Sequence, residues 1–482
     1  LYIISDEMIP ETHAHGSERG ATYALLVGFG WLNLYAANFN PETKIFFSVE
    51  AEYFKQLVWI GISLLCIGVI MLVDSKFFVE VSYIIFGASV LLLIATLVVG
   101  KEVNGAKAWI ALGPLTFQPV EFTKIGTALV IARMMSRYGF VFDTKAYFKL
   151  FGLLLIPIAL VLLQNDTGSA LIFFVFMLSM YREGMSGHVL MLGVTCGVSA
   201  IATLLIGSVT VMFGLSVIAI LSVFYVLKSY HASKKMLKSL LLFVVTGVVM
   251  WFVMRYFGRS GVEQTELAIM SAALAMTIYL IAKAIYNKMH NLVGILGYFW
   301  VGLVLSFATS YIFENVLIEH QRTRINVLFG VEEDPLGAGY NVNQSLIAIG
   351  SGGAIGKGFL EGTQTKLNFV PKQTTDFIFC TVGEEWGFVG SVGLVIVYLA
   401  FFIRLILLAE KQHSVFSRVY GYCVASIFFF HFMVNICMTI GLLPVIGIPL
   451  PFFSYGGSSL WGFSIMLFIF LKLDTERELL IR

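Results

Sequence analysis

The sequence predicts an all-α polytopic membrane protein with about 14 transmembrane helices and one large extracytoplasmic loop. Composition is the first observation behind this prediction. Of the 482 residues, 58% are hydrophobic and 12% are charged, and the mean hydropathy is +0.88. A soluble domain carries roughly 25% charged residues. A bilayer can solvate so much apolar surface, whereas a water-soluble fold of this length could not bury it.

The second observation is the length of the apolar stretches. A helix needs roughly 20 apolar residues to cross the hydrocarbon core. Stretches near or above that length lie at 21–38, 54–73, 77–99, 119–135, 147–164, 168–182, 186–207, 209–228, 237–256, 266–284, 291–313, 377–408, 417–441 and 457–472. The stretches 119–135 and 168–182 are short, so we predict about 14 helices rather than a fixed number.

The third observation is the placement of lysine and arginine, which collect in the cytoplasmic loops of membrane proteins. Five basic segments alternate with the apolar stretches, at 133–149, 228–238, 283–288, 404–418 and 472–482. All five fall on the same side of the membrane when the number of helices is even. We therefore predict that both termini are cytoplasmic and that the long segment 314–376 is extracytoplasmic.

The predicted spans divide the chain into five segments. They are a polar N-terminal segment 1–20, N-terminal helices 21–182, a further helical region 183–313, the large loop 314–376, and C-terminal helices with a tail 377–482. The net charge of +2, without a basic run interleaved with aromatic residues, argues against a nucleic-acid partner. The five cysteines show neither CxxC nor Cys/His ligand spacing, which is typical of small buried side chains.

Asp376 is the strongest candidate for chemistry, because it lies where the large loop meets the apolar Phe377-Ile378-Phe379. Burial at such a boundary raises the pKa of a carboxyl group. A general base that works near neutral pH needs such a shift. The alternative is structural, since Thr375 or Asp376 could cap the helix that follows.

Three more ionisable residues lie in or beside apolar stretches. Glu121 and Lys124 are three residues apart, on one face of the helix that starts near Pro119. Ionisable residues inside a span are costly and usually face a cavity or a partner. The alternative is that the two form an ion pair with each other. Asp166 lies in a polar break between two apolar stretches, and the same two interpretations apply to it.

The large loop has a basic character. Its cations are Arg322, Arg324, Lys357, Lys366 and Lys372. Such groups could clamp a pyrophosphate, or they could form a solvated face. The Gly-rich segments 351–353 and 356–358 match neither of the common nucleotide-binding patterns, so no nucleotide site is predicted. Ser454, in the run SYGGSS, could contact a ligand or could only permit close helix packing.

Four sequence blocks resemble the SEDS family (shape, elongation, division and sporulation proteins), in the family's own order. Between Asp334 and Gly387 the chain reads DPLGAGYN, GKGFLEGTQ, LNFVP, TDFIF and EEWG. The other blocks are FQPVEFTKI at 117–125, QNDTGSA at 164–170 and GLLPVIGIPLPFFSYGGSS at 441–459. The pieces GKGFLEGTQ and LNFVP resemble the RodA branch of the family rather than the FtsW branch. Four blocks in order are far more specific than one glycine pattern.

The resemblance implies a RodA-type peptidoglycan glycosyltransferase that serves cell elongation and shape. Such an enzyme polymerises lipid II into β-1,4 glycan strands, with inversion, at the outer face of the bacterial cytoplasmic (inner) membrane. The fold implied is a ten-helix core with about four inserted helices. The family's loop aspartate matches Asp376, its intramembrane pair matches Glu121 and Lys124, and its further aspartate matches Asp166.

The resemblance also implies ligands and a partner. Lipid II, undecaprenyl-linked glycan and membrane lipid would bind, and a class B penicillin-binding protein would supply transpeptidation. The predicted substrate-binding residues are Glu121, Lys124, Asp166, Arg322, Arg324, Lys366, Thr375 and Ser454. A divalent cation, Mg²⁺ or Mn²⁺, could assist the departure of pyrophosphate, with Asp376 as a candidate ligand.

Two features depart from the family pattern. The usual arginine before the tryptophan of the first outer loop is Ala108 here, preceded by Lys107. The stretch before Gln321 is longer by about 100 residues, enough for roughly four helices. Two other functions stay open. A lipid II flippase would need polar groups across the bilayer, and a non-catalytic scaffold for the transpeptidase would need no carboxylate at the membrane boundary.

Overall fold

The computed structural model describes residues 20–38, 51–103, 105–112, 115–227, 230–257, 261–286, 290–315, 322, 326, 339–367, 369–443 and 445–479. The chain forms two compact units. The first combines 1–185 with 334–482, and the second is 186–333. Residues 1–19 of the predicted polar segment and Arg324 lie outside the described residues.

Helices account for nearly all of the regular structure. The first unit begins with α1 (Ala21–Ala37), α2 (Glu52–Leu72), α3 (Ser75–Glu80), α4 (Ser82–Val99), α5 (Pro119–Met135), α6 (Thr144–Leu163), α7 (Thr167–Phe174) and α8 (Phe176–Arg182). The second unit contains α9 (Gly187–Ile206), α10 (Ser208–Leu227), α11 (Tyr230–Tyr256), α12 (Gly261–Tyr286) and α13 (His290–Asn315). The first unit is completed by α14 (Tyr340–Ser351), α15 (Thr363–Lys366), α16 (Ile378–Glu410), α17 (Val415–Thr439) and α18 (Gly457–Leu479).

A small antiparallel sheet lies between α4 and α5. Its strands are β1 (Lys101–Val103), β2 (Ala106–Leu112) and β3 (Leu115–Phe117), in the order β1-β2-β3. The sheet is attached to the break between α6 and α7, because the amide of Lys107 donates to the carbonyl of Gln164 at 2.9 Å. Strand pairing satisfies backbone groups that a helix would have satisfied internally, and it is a small departure from the all-α prediction.

Helix α5 is the most deeply buried helix of the N-terminal part, with 14 of its 17 residues buried. It packs against α4, α17 and α18. Gly126 permits the close approach to α4, since a Cβ there would lie 3.0 Å from the Cα of Phe86. Because protein surrounds α5, its two ionisable residues near the start, Glu121 and Lys124, are kept away from lipid.

Helix α16 is interrupted at Gly387, whose φ of +65° and ψ of −161° are not helical. The sequence predicted an unbroken helix over 377–408. The large loop docks at the kink, where the amides of Phe388 and Val389 donate to the carbonyls of Gly353 and Ala354 at 2.9 and 3.0 Å. Gly356 also touches this point, and a Cβ there would lie 2.1 Å from the carbonyl oxygen of Glu385. The glycines of the loop therefore allow backbone contact with α16.

The second unit has its own apolar core. Helix α11 pairs with α12, and α13 packs against α9 and α10. The buried core residues are Met212, Ala219, Ile220, Phe243, Ala272, Ala273, Met276, Leu280, Leu296, Phe299 and Leu303. These helices occupy most of the region 183–313, which the sequence predicted to contain the inserted helices.

The prediction of an all-α, multi-pass membrane protein is confirmed. Among the described residues, nine helices are long and apolar enough to cross a membrane. Shorter apolar helices lie at Ala21–Ala37, Thr167–Arg182, Ser208–Ser222 and Leu240–Tyr256. The predicted number of about 14 spans is not confirmed, and the placement of both termini in the cytoplasm stays a prediction.

Candidate active site

Asp376 lies at the end of the large loop, two residues before α16 begins. It is 9% exposed. Helix α16 has Phe377 at its N-cap position and no side-chain cap hydrogen bond. Neither Thr375 nor Asp376 therefore caps the helix, which was the structural alternative. Burial raises the pKa of Asp376, while the charge of Lys372 and the hydroxyl of Thr375 lower it by less.

A tight turn at Lys372 directs the chain into Asp376. Lys372 has a φ of +53°, which is uncommon outside glycine. Its carbonyl accepts hydrogen bonds from the amides of Thr375, Asp376 and Phe377, at 3.2, 3.2 and 3.3 Å. Its side chain is 45% exposed, and its ammonium group lies 3.9 Å from Oδ2 of Asp376. One lysine thus forms the turn and places a partly solvated cation beside the carboxylate.

The segment 442–456 between α17 and α18, which we call the α17–α18 loop, fixes the backbone before Asp376. The hydroxyl of Ser454 donates to the carbonyl of Thr375 at 2.5 Å and accepts from the amide of Leu450 at 2.9 Å. The amide of Tyr455 donates to the carbonyl of Thr374 at 2.9 Å. Ser454 therefore acts on the chain at Thr375 through the backbone.

Gln56 of α2 contacts the same loop from the other side. Its Oε1 accepts from the amide of Gly456 at 3.3 Å, and its Nε2 lies 3.5 Å from the carbonyl oxygen of Ser454. Gln56 is 3% exposed. The sequence analysis did not select this residue. The signal that could have found it is a glutamine near the start of an apolar helix, because a buried amide needs partners.

Glu121 and Lys124 form a buried ion pair at the start of α5. The Nζ of Lys124 lies 2.8 Å from Oε2 of Glu121 and 3.1 Å from Nε2 of His431 on α17. It also lies 5.2 Å from the centre of the Phe463 ring, within the range of a cation–π contact. Gly462 of α18 leaves room for Glu121, since a Cβ there would lie 3.1 Å from the carboxylate. His431 was not selected from the sequence.

Asn435 lies one helical turn after His431 and was noted in the sequence only as a polar residue within a span. Its Nδ2 donates to the carbonyl of Asp376 at 2.8 Å and to the carbonyl of Ile448 at 2.8 Å. It is fully buried. The backbone of Asp376 is therefore fixed from α17 as well as from Lys372.

Asp166 is the N-cap of α7. Its carboxylate accepts from the amide of Ser169 at 3.0 Å, from the hydroxyl of Ser169 at 2.8 Å, and from Nε2 of Gln118 at 3.2 Å. The first turn of α7 touches the α17–α18 loop, since a Cβ on Gly168 would lie 2.7 Å from the carbonyl oxygen of Ile446. These contacts give Asp166 a structural task, and its predicted contact with substrate stays a prediction.

Glu384 organises the large loop. Its carboxylate accepts from the amides of Thr363, Gln364 and Thr365, at 2.8, 2.9 and 2.9 Å. The ammonium group of Lys357 lies 2.6 Å from the same carboxylate. In the sequence analysis Glu384 appeared only within the block EEWG and was not selected as a site residue. Its role is to fix α15 and the glycine-rich turn before it.

Three predicted cations of the large loop, and Lys107 of the first outer loop, lie in different surroundings. Arg322 belongs to the second unit, where its Nη2 donates to the carbonyl of Glu314 at 2.5 Å. Arg324 lies outside the described residues. Lys366 ends α15 and is half-buried. The ammonium group of Lys107 donates to the carbonyls of Leu97 and Val98 at 2.8 and 3.1 Å, at the C-terminal end of α4.

A divalent cation was one expectation for Asp376. In the part of the chain that the structure describes, no group of three or more His, Cys, Asp or Glu side chains is placed to bind a metal. Mg²⁺ is often bound by one or two carboxylates together with substrate phosphates. Asp376 alone is a single donor, so we derive no step through a metal ion.

Comparison with known proteins assigns the family. The model of the FtsW/RodA/SpoVE family, described as cell cycle protein, matches residues 20–210 and 267–479. The peptidoglycan glycosyltransferase RodA of Treponema pallidum is 31% identical over 461 residues, which are 95% of this chain and 96% of that protein. The peptidoglycan glycosyltransferase MrdB of Escherichia coli K12 is 44% identical over 162 residues, or 34% of this chain and 44% of that protein.

Solved structures have the same fold. A chain from a study of how a peptidoglycan synthase complex coordinates polymerization and crosslinking has a TM-score of 0.59 and 25% identity, over 97% of this chain and 99% of that one. The rod shape determining protein RodA of Thermus thermophilus has a TM-score of 0.54 and 23% identity, with the same coverage. The chain belongs to the FtsW/RodA/SpoVE family, the SEDS family that its four sequence blocks predicted.

Proposed function

We propose that this protein is a peptidoglycan glycosyltransferase, which polymerises lipid II into β-1,4 glycan strands for cell elongation and shape. The observation that carries the proposal is the environment of Asp376. Its backbone is fixed by Lys372, Ser454 and Asn435, and its buried carboxylate does not cap α16. Relatives named peptidoglycan glycosyltransferase support the class of reaction.

In the proposed reaction the growing glycan, linked to undecaprenyl pyrophosphate, is the donor. The acceptor is the 4-hydroxyl group of the GlcNAc sugar of an incoming lipid II. Asp376 takes the proton of that hydroxyl as its oxygen bonds to the anomeric carbon. The bond from that carbon to the pyrophosphate oxygen breaks, and the pyrophosphate leaves with the electron pair. A single displacement converts the α-linked donor into a β-linked product.

The departing pyrophosphate needs positive charge nearby. We assign this task to Lys372, because its ammonium group is partly exposed beside the carboxylate of Asp376. Lys124 was a sequence candidate for the same task, but it is fully buried and bound to Glu121 and His431. The other candidates for substrate contact in the first unit are Asp166, Lys366, Thr375 and Ser454.

The protein would work beside a class B penicillin-binding protein in the bacterial cytoplasmic membrane. A glycan polymerase makes strands that a transpeptidase crosslinks, and one solved chain of the same fold comes from a peptidoglycan synthase complex. The basic segments favour cytoplasmic termini. With that orientation the large loop and Asp376 face the side of the membrane where the glycan is assembled.

The competing function is a lipid II flippase, which needs polar groups along a path across the bilayer. The pair that favoured it, Glu121 and Lys124, is buried as an ion pair, and Lys124 also contacts His431. These contacts give the pair a structural explanation. Polymerisation is therefore the better-supported function.

The test is lipid II polymerisation by purified protein, with products separated by length. We expect Asp376→Asn to lower the rate by about 10²–10⁴-fold, as for loss of a general base. Lipid II binding and thermal stability should be kept, because asparagine has nearly the same shape. The matched control is Asp143→Asn, at an aspartate that caps α6 by accepting from the amide of Ala146 at 2.7 Å, and it should stay fully active.

Two outcomes would contradict the proposal. One is a well-folded Asp376→Asn protein that synthesises glycan at nearly the normal rate. The other is a wild-type protein that makes no glycan even with its partner, yet carries fluorescent lipid II across vesicle membranes. Recovery of Asp376→Asn by excess Mn²⁺ would instead assign Asp376 to metal binding.

A further inference from the structure

Two of the buried polar residues of helix α17, His431 and Asn435, contact the α17–α18 loop. His431 is 1% exposed and Asn435 is fully buried. They are four residues apart, so both lie on one face of the helix. Each contacts the α17–α18 loop and one further group, which is the ammonium group of Lys124 for His431 and the carbonyl of Asp376 for Asn435. Polar side chains in such positions need these partners, because an unpaired polar group in an apolar interior is costly.

His431 connects Lys124 to the α17–α18 loop. A lysine ammonium group only donates hydrogen bonds, so Nε2 of His431 must accept from Lys124 across the 3.1 Å distance. The ring is therefore neutral, with its proton on Nδ1. That nitrogen lies 3.3 Å from the carbonyl oxygen of Pro449 and can donate to it. The charged Lys124, paired with Glu121, thus determines that the ring nitrogen facing the loop carries the proton.

Asn435 connects the same loop to the chain at Asp376. An amide group offers two hydrogens, and both are used, one on the carbonyl of Asp376 and one on that of Ile448. The reverse orientation of the amide would place its oxygen against two carbonyl oxygens. Ile448 directly precedes Pro449, so His431 and Asn435 contact neighbouring peptide groups of the loop.

We propose that His431 and Asn435 are positioning residues that join the Glu121–Lys124 ion pair to Asp376. The ion pair then acts on glycan synthesis through the geometry of the Asp376 backbone, without touching substrate. This inference rests on the proposed function and specifies how the same site is organised.

The chain of contacts explains why an ion pair is kept inside α5. A buried ion pair is seldom more stable than well-packed apolar residues, and its best-attested use is to specify one arrangement. Here the pair fixes the proton position on His431, and that residue fixes the loop at Pro449. A displacement of about 1 Å at a catalytic group can lower a rate by roughly 10²-fold. Breaking this series of contacts should therefore lower kcat.

The experiment compares His431→Phe, which keeps a ring but neither nitrogen, with His431→Gln, whose amide can both accept and donate. We expect His431→Phe to lower kcat for lipid II polymerisation by about 10- to 100-fold, with KM within about twofold of wild type. His431→Gln should recover most of the lost rate. Hydrogen exchange of the backbone around residues 374–378 should be faster in His431→Phe than in wild type.

The matched control is Tyr420→Phe on the same helix. It removes a buried hydrogen bond from the Tyr420 hydroxyl to the carbonyl of Met466, 3.2 Å long, so its effect on stability should be similar. Its kcat and the exchange around Asp376 should equal those of wild type. This control separates positioning from a general loss of stability.

A double-mutant cycle gives an independent measurement. Lys124→Met and His431→Phe act on one chain of contacts, so their combined loss in kcat should be clearly smaller than the product of the single losses. The inference is overturned if His431→Phe keeps the wild-type kcat, if it raises KM alone, or if the two losses multiply. Activity of His431→Phe beside an inactive Asp376→Asn would refute this inference only, whereas an inactive wild type would refute the proposed function.

Discussion

Two carboxylates near the start of α16 differ in what surrounds them. Glu384 accepts hydrogen bonds from three backbone amides and lies 2.6 Å from the ammonium group of Lys357. Asp376 has its backbone fixed by Asn435 and by the turn at Lys372. The polar neighbours of its carboxylate are the ammonium group of Lys372, 3.9 Å away, and the hydroxyl of Thr375.

This difference suits Glu384 to a structural role and Asp376 to general-base catalysis. A carboxylate that accepts several amide hydrogen bonds is stabilised in its charged form, so it serves well as a fixed anion that organises a loop. A general base must take up a proton, and donors aimed at its oxygens would oppose that. The structure therefore fixes Asp376 mainly through its backbone and places fewer donors at its oxygens than at those of Glu384.

The largest effect on stability should come from Glu384→Gln. The glutamine loses the negative charge that faces three amides and Lys357, and its NH₂ group would oppose these donors. Removing one partner of a buried charge pair costs about 3–5 kcal/mol. We expect the variant to lose thermal stability and folded yield, whereas Asp376→Asn should keep both.

Glu361→Gln is the control for this variant, because Glu361 is an exposed glutamate of the same loop. It should leave the melting temperature unchanged. A stable but inactive Glu384→Gln protein would contradict the comparison, since it would give Glu384 a chemical task instead of a structural one.

A smaller effect is expected from Lys372→Met, measured as the pH dependence of kcat. The charge of Lys372 lowers the pKa of Asp376 against the effect of burial. Without it the pKa of Asp376 rises, so the base is protonated at a higher pH and the acid limb of the profile moves to higher pH. A partly solvated pair of charges is worth roughly 0.2–1 kcal/mol, so kcat on that limb should fall by about 1.4- to fivefold. This loss adds to the pH-independent fall expected when the cation that faces the pyrophosphate is removed.

Lys372→Arg is the matched variant, because it keeps the charge beside Asp376. Its acid limb should coincide with that of wild type. A profile of Lys372→Met that keeps its shape and falls equally at every pH would assign Lys372 to the pyrophosphate alone and remove its influence on the carboxylate.

The sequence predicted the membrane class, the position of α5 and the burial of Asp376 at the membrane boundary, because apolar length and a charge at an apolar boundary are local signals. The catalytic role of Asp376 stays a prediction. The sequence missed residues whose partners are distant in the chain. Lys124 and His431 are 307 positions apart, and Gln56 and Ser454 are 398 apart. His431 is a single polar side chain in an apolar stretch, whereas Gln56 follows Lys55 near the start of one. In both cases only the folded chain shows the partner.

The kink of α16 was missed for a related reason. A single Gly387 in an apolar helix gives a weak signal. Its backbone conformation is determined by the loop segment 353–356, which contacts it after folding. The structural task of Asp166 as the cap of α7 follows local rules, and the sequence placed that residue correctly in the break between two helices.

Lysines can be compared in the same way, as structural or chemical groups, and the smallest expected effect is at Lys107. The resemblance to the family raised the question whether Lys107 replaces the usual arginine of the first outer loop. Its ammonium group donates to the carbonyls of Leu97 and Val98, in the last turn of α4. A cation at the C-terminal end of a helix typically contributes about 0.3–1 kcal/mol.

We therefore expect Lys107→Met to lower the free energy of unfolding by an amount in that range and to change the polymerisation rate by less than about twofold. Lys101→Met, at an exposed lysine of β1, should change neither quantity and serves as the control. Lys372→Met should therefore change the polymerisation rate, whereas Lys107→Met should change mainly the stability. The reason is that Lys372 lies beside a carboxylate, whereas the ammonium group of Lys107 is bound to backbone carbonyls. A stable Lys107→Met protein whose polymerisation falls more than tenfold would show that Lys107 leaves these carbonyls to bind substrate.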